Sequence, residues 1–93
     1  MPSTENIQIE LRNLRLVINK IDELIIQSIA RRMSVSRTIG SIKKENRLKI
    51  KDREREKELQ QFHRLLAKKN GITYRTLKKI FKLIMKESRR MQK

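Results

Sequence analysis

The sequence predicts an all-α chain of three helices, long, short and medium, and three observations carry that prediction. Helix breakers are scarce, limited to Pro2, Gly40 and Gly71 in 93 residues. Apolar residues recur at spacings of three and four, which is the period of a helix face and not of a strand. The few turn signals fall at two places only, around residues 46–52 and 70–73.

The long helix is read first. From Leu14 the seam runs through Ile18, Ile21, Ile25, Ser28, Arg32, Val35, Ile39 and Ile42. It predicts one helix from about Ile9 to about Asn46, on the order of 55 Å long. Residues 1–8 are expected to be a flexible lead-in. A helix of that length cannot fold back on itself, and two short helices cannot cover it. It therefore needs another chain, a natural remedy for a domain this small.

Asp52 then offers an N-cap and Glu54 an acid in the first turn of a short helix. Leu59, Phe62, Leu65 and Leu66 are its expected apolar residues, and Asn70-Gly71 its stop. Thr73 can cap the third helix, whose inner stripe is Leu77, Ile80, Phe81, Ile84 and Met85. With Phe62, Tyr74 and Phe81 as the only aromatics, the core is expected to be aliphatic. The whole reads as a single domain, 1–93.

Composition narrows the chemistry. The formal net charge is +15, so an anionic partner is expected, nucleic acid being the first to consider. There is no cysteine and a single histidine, His63, expected at an exposed or boundary position. No metal-binding cluster, Cys–His or Ser–His–Asp set or glycine-rich phosphate loop is present, so no metal site is read and a nucleophilic or metal-assisted hydrolase is not expected. No apolar run approaches the roughly 18 residues of a membrane span. The polar start MPSTENIQIE does not read as a secretion signal, and the expected compartment is the cytoplasm.

Polar residues occupy places where the pattern asks for apolar ones. Arg32 interrupts the seam, and Lys43, eleven residues on, lies about 20° away on the same face. Arg15 is seventeen residues before Arg32, roughly 25 Å along the axis and about 100° around it. If both arginines serve one small ligand, they must come from two chains laid antiparallel. Ser88 and Gln92 continue the inner face of the third helix with neutral hydrogen-bonding groups. The stretch DREREKE (52–58) holds four of the ten acids. Glu54 and Glu58 read as helix surface, whereas Asp52, Arg55 and Glu56 share one face at i, i+3 and i+4.

These stretches, LRLVINKIDELIIQSIARR with IGSIK, then KDREREKEL, then IFKLIMKESRRMQ, resemble the all-helical, AroQ-type chorismate mutases over about residues 11–92. The family's pattern falls in order on Arg15, Arg32, Lys43, Asp52, Arg55, Glu56, Ser88 and Gln92. The resemblance implies an intertwined helical homodimer with two equivalent sites. It implies that chorismate, a dianion, rearranges to prephenate by a pericyclic shift without a cofactor. Arg32, with Arg15 of the other protomer, would hold the two carboxylates. Lys43 and Gln92 would hydrogen-bond the ether oxygen, and Glu56 with Asp52 would take the ring hydroxyl. Ser88 would assist at a carboxylate, and Arg55 would orient the acidic pair and substrate. Relatives often carry a proline shortly before the Asp of this run, where this chain has Leu48-Lys49-Ile50-Lys51. Arg31 stands where an acid is common. No fused dehydratase, dehydrogenase or regulatory domain is read, so a stand-alone enzyme is expected.

Three competitors remain at this point. An isochorismate-pyruvate lyase uses the same scaffold and cations, but such relatives tend to lack the acidic pair, so Glu56 favours the mutase. A basic nucleic-acid-binding helical protein would account for residues 59–86, which hold eight basic residues and no acid. It would leave Ser88 and Gln92 idle, and no recognition-helix signature is found. A structural coiled-coil partner is disfavoured by Arg32 in the seam.

Overall fold

A computed structural model describes residues 3–93. It contains three helices in chain order: α1 (Thr4–Glu45), α2 (Arg53–Asn70) and α3 (Tyr74–Gln92). None of them is long and apolar enough to cross a membrane. The cap chemistry explains the boundaries. The Asp52 side chain accepts a hydrogen bond from the Arg55 amide at 3.0 Å and opens α2. Gly71 closes it at φ 66°, a left-handed conformation that a side chain would disfavour. Thr73 starts α3 through its backbone carbonyl, which accepts from Thr76 and Leu77 at 3.1 Å, and not through its hydroxyl.

α1 starts earlier than the expected Ile9. The Ser3 hydroxyl accepts from the Asn6 amide at 3.1 Å, and Glu5 sits in the first turn, so a cap forms upstream of the apolar seam. Residues 4–8, expected to be flexible, are therefore helical. Met1 and Pro2, also in that expected lead-in, lie outside the described residues. At the other end Arg47 takes φ 55°, and the Leu48 amide reaches back to the Lys43 carbonyl at 2.8 Å. This left-handed cap ends α1 without the usual glycine.

Two compact units divide the chain at Arg31 and Arg32. In the first, every described residue up to Ser28 is exposed, the seam residues Leu14, Ile18, Ile21 and Ile25 included. In the second, Arg32–Lys93, the buried positions are few and mostly small or polar: Met33, Ser36 and Gly40 of α1, His63 and Ala67 of α2, and Ser88 of α3. The expected aliphatic core is thus not assembled within this unit. Val35, Ile39, Ile42 and Ile80 all remain exposed.

His63 corrects the expected exposed or boundary position. It is 8% exposed, with its ring centroid 4.0 Å from that of Phe81. The inward face of α2 is Leu59, His63, Leu66 and Ala67, while Phe62 and Leu65 turn to solvent. The face is rotated from the one that residue size suggested, because the partner it meets is an aromatic ring on α3. Burial first, then the positive charges of Arg32 and Arg55, hold the His63 pKa below its ordinary value of 6.5.

The sign of the resulting linkage follows directly. Below about pH 6.5 the unfolded chain takes up a proton that the folded chain resists, so this part of the stability is whole above that pH and lost below it. The thermal midpoint is expected to fall as the pH drops from about 7 to about 5, before ordinary carboxylates titrate. His63→Leu is expected to flatten that dependence, and an unchanged slope in the variant would contradict the burial of a neutral imidazole.

Candidate active site

The three helices of the second unit converge on a cavity of about 410 Å³. From α1 it receives Arg32 and Lys43, which the helical period places on one face. From α2 and its cap come Asp52, Arg55 and Glu56, and from α3 Ser88 and Gln92. Seven of the eight residues singled out in the sequence therefore line one cavity. The eighth, Arg15, belongs to the first unit, is exposed, and is not among the lining residues.

Two polar pairs organise the walls. The Arg32 guanidinium donates to the Ser88 hydroxyl, which in turn lies 3.8 Å from the Met33 sulfur. Burial, and secondarily the Arg55 charge, push the Arg32 pKa down from its ordinary value. A guanidinium does not give up its proton in response. The shift instead reflects a charge removed from water, and secondarily repelled by Arg55, which an incoming carboxylate would stabilise.

In the second pair the Lys43 ammonium donates to the Gln92 side-chain oxygen at 3.0 Å and to the Ile50 carbonyl at 2.5 Å. With its oxygen turned to Lys43, the Gln92 amide leaves its NH₂ to donate to a ligand. An ammonium and an amide donor thus stand side by side in one cavity.

Gly40 makes that second pair possible. A Cβ built on Gly40 would come within 2.5 Å of the Gln92 Cα and carbonyl oxygen, and these are backbone atoms that cannot swing away. Only glycine lets the end of α3 lie this close to α1. Gly40→Ala is expected to push Gln92 away from Lys43 and cut turnover by about tenfold or more, given that 1 Å misplacements can cost about a hundredfold. The helical circular dichroism should persist. Wild-type turnover in the variant would show that the close approach is dispensable.

The acidic residues divide their work. Asp52 commits one oxygen to the α2 cap. Glu56 accepts from Arg89 at 3.2 Å, a half-buried pair that joins α2 to α3. Arg55, expected to orient Asp52 and Glu56, lines the cavity, and its side chain hydrogen-bonds Glu58 at 3.2 Å. Sequence reading missed Arg89 as a wall of the cavity. The available signal was its spacing of four from Met85, which also lines the site, but two arginines in a last turn read as dipole partners.

An apolar trough of about 400 Å³ adjoins the site, sharing Arg32, Arg55 and Leu59 with it. Phe62, Leu66, Leu77 and Phe81 form its walls. Among the described residues no group of three or more His, Cys, Asp or Glu side chains is placed to hold a metal ion.

A family profile described as chorismate mutase type II matches residues 14–93. A bifunctional chorismate mutase/prephenate dehydratase of Buchnera aphidicola subsp. Schizaphis graminum is 37% identical over 84 residues, covering 90% of this chain and 22% of that protein. The chorismate mutase of Methanocaldococcus jannaschii is 31% identical over 84 residues, covering 90% of this chain and 85% of that one. The T-protein of Haemophilus influenzae is 33% identical over 78 residues, covering 84% of this chain. The chain thus spans only about a fifth of the Buchnera and Haemophilus relatives, at 22% and 21% of their lengths. No solved structure matches it at a significant level. By the profile, the relatives and the composition of the cavity, the chain belongs to the chorismate mutase type II family.

Proposed function

We propose that this chain rearranges chorismate to prephenate at the cavity between α1, α2 and α3, as a homodimer in which Arg15 of the partner subunit completes each site. The observation that carries the reading is the pairing of Lys43 with Gln92 at 3.0 Å, in the cavity that also holds Arg32, Ser88 and Glu56.

The rearrangement moves electron pairs within one molecule, breaking a C–O bond as a C–C bond forms. It requires no nucleophile and no proton transfer. What the protein supplies is a compact substrate conformer and stabilisation of the charge that grows on the ether oxygen. Arg32 and Arg15 of the partner subunit hold the carboxylates, with Ser88 assisting at one of them. Lys43 and the Gln92 NH₂ face the ether oxygen, and their bonds strengthen as the C–O bond lengthens, which lowers the barrier. Glu56, held by Arg89, accepts from the ring hydroxyl, with Asp52 beside it.

The dimer rests on exposed apolar surface. Leu14, Ile18, Ile21 and Ile25 are each half-exposed or more, and an apolar trough stands open beside the site. Surfaces of this kind on a small chain call for a partner. A second copy laid antiparallel would cover both and bring in the arginine that its own chain cannot deliver.

Lyase activity on isochorismate is the competing chemistry on such a scaffold. The Glu56 carboxylate, positioned by Arg89 in the cavity, favours the mutase. Parallel incubations with chorismate and isochorismate separate the two. The mutase reading expects faster consumption of chorismate, and release of pyruvate from isochorismate as the dominant reaction would replace it.

A further inference from the structure

Positive charge also gathers outside the active-site cavity. That cavity sets four cations, Arg32, Lys43, Arg55 and Arg89, against two carboxylates, Asp52 and Glu56. A second groove of about 470 Å³ sets six cations against one carboxylate. It is formed by α2, α3 and Lys51, with no residue from α1. Its cations are Lys51, Arg53, Lys57, Lys78, Lys82 and Arg89, and its single acid, Glu56, is already paired with Arg89.

The other five have no carboxylate within 4.0 Å among the described residues. Two like-charge pairs at i, i+4, Arg53 with Lys57 on α2 and Lys78 with Lys82 on α3, repel along their own helices. Among the described residues no ion pair offsets this repulsion. Local conflicts of this kind gather where a ligand supplies the missing charge. Phe81, Met85 and the rings of Tyr74 and His63 contribute to the lining, and apolar surface beside the cations strengthens electrostatic attraction.

We propose that the α2–α3 groove is a binding site for a small polyphosphate anion. The charge surplus exceeds what a dicarboxylate needs. Clustered ammonium and guanidinium groups are the usual receivers of phosphate oxygens, with arginine forking onto two of them. The groove is concave and limited in volume, so it takes a compact anion and not an extended strand. The groove shares Glu56, Met85 and Arg89 with the active-site cavity, but its five unpaired cations do not line that cavity, and its test does not use turnover.

The experiment is calorimetric titration of the full chain at about 0.15 M salt, where charges beyond about 8 Å are screened. The probes are inorganic tripolyphosphate and a nucleoside triphosphate. Saturable binding of one anion per chain is expected. Lys78→Gln/Lys82→Gln should weaken it about tenfold or more, the loss of two charge-assisted contacts. Lys68→Gln/Lys69→Gln removes the same charge outside the groove and should leave affinity within about twofold, as expected of screened charges. Lys51→Gln/Lys57→Gln provides a second groove variant, and circular dichroism checks the fold of each. Equal affinity for the two probes would assign the binding to phosphates alone, and tighter binding of the nucleotide would add the aromatic lining; both support the site. Absence of saturable binding would overturn it. So would equal weakening by the groove and control pairs, or a marked preference for a single-stranded oligonucleotide that ignores the groove substitutions.

Discussion

Lys43→Ala is expected to lower turnover by about two to three orders of magnitude, the usual cost of removing one donor from a site of developing negative charge. Lys43 is not an ordinary surface lysine. Its ammonium is held between the Gln92 amide oxygen at 3.0 Å and the Ile50 carbonyl at 2.5 Å, so it is already positioned in the cavity. Gln92→Ala should be similarly damaging, because it removes both the second donor and the group that fixes the first. The two losses should not add, since the residues act as one unit. Neither change touches a cap or a buried apolar contact, so helical circular dichroism should be retained in both. Turnover near wild type in either variant would remove the pair from the mechanism.

The second large effect is a rescue. Arg15→Ala and Arg32→Ala chains should each be nearly inactive, because each lacks one of the two guanidiniums proposed to hold the carboxylates. Mixed and allowed to exchange, half of the dimers formed at random are heterodimers. Each of these has one site with both arginines intact, so about a quarter of wild-type activity is expected. Arg32 lines the cavity beside Ser88, whereas Arg15 lies in the first unit and does not line it. Heterodimers shown to form but without recovered activity would mean that the two residues do not meet across chains.

Much of this was legible in the sequence because the signals were local. Asp52, Gly71 and Thr73 stand where α2 starts, where it stops and where α3 begins, since caps act within one turn. Arg32 and Lys43 could be placed on one face by period alone, and Ser88 and Gln92 by continuing the stripe of α3. The early start of α1 was missed because its cap, Ser3, precedes any apolar periodicity. The inward face of α2 was misjudged because Phe62 and Leu65 look like core and His63 does not. What decides it is Phe81, on another helix. The same applies to Arg89, whose partner Glu56 is 33 positions away. The role of Gly40 was equally invisible, since it depends on how closely the α3 backbone passes. Contacts between distant residues are what periodicity and caps do not encode.

The surplus of charge also becomes intelligible once it is located. The active-site cavity sets four cations against two carboxylates, whereas the α2–α3 groove sets six against one, with Lys51, Lys57, Lys78 and Lys82 among its unpaired cations. Part of the high net charge is thus carried by five groove cations with no carboxylate partner among the described residues.

The central claim, that this cavity makes prephenate, is tested most directly by incubating the purified chain with chorismate and following the mixture by NMR. Loss of chorismate matched one for one by prephenate, with no added cofactor, is the expected result. Chorismate left unchanged by well-folded protein, or consumed with release of pyruvate, would contradict it.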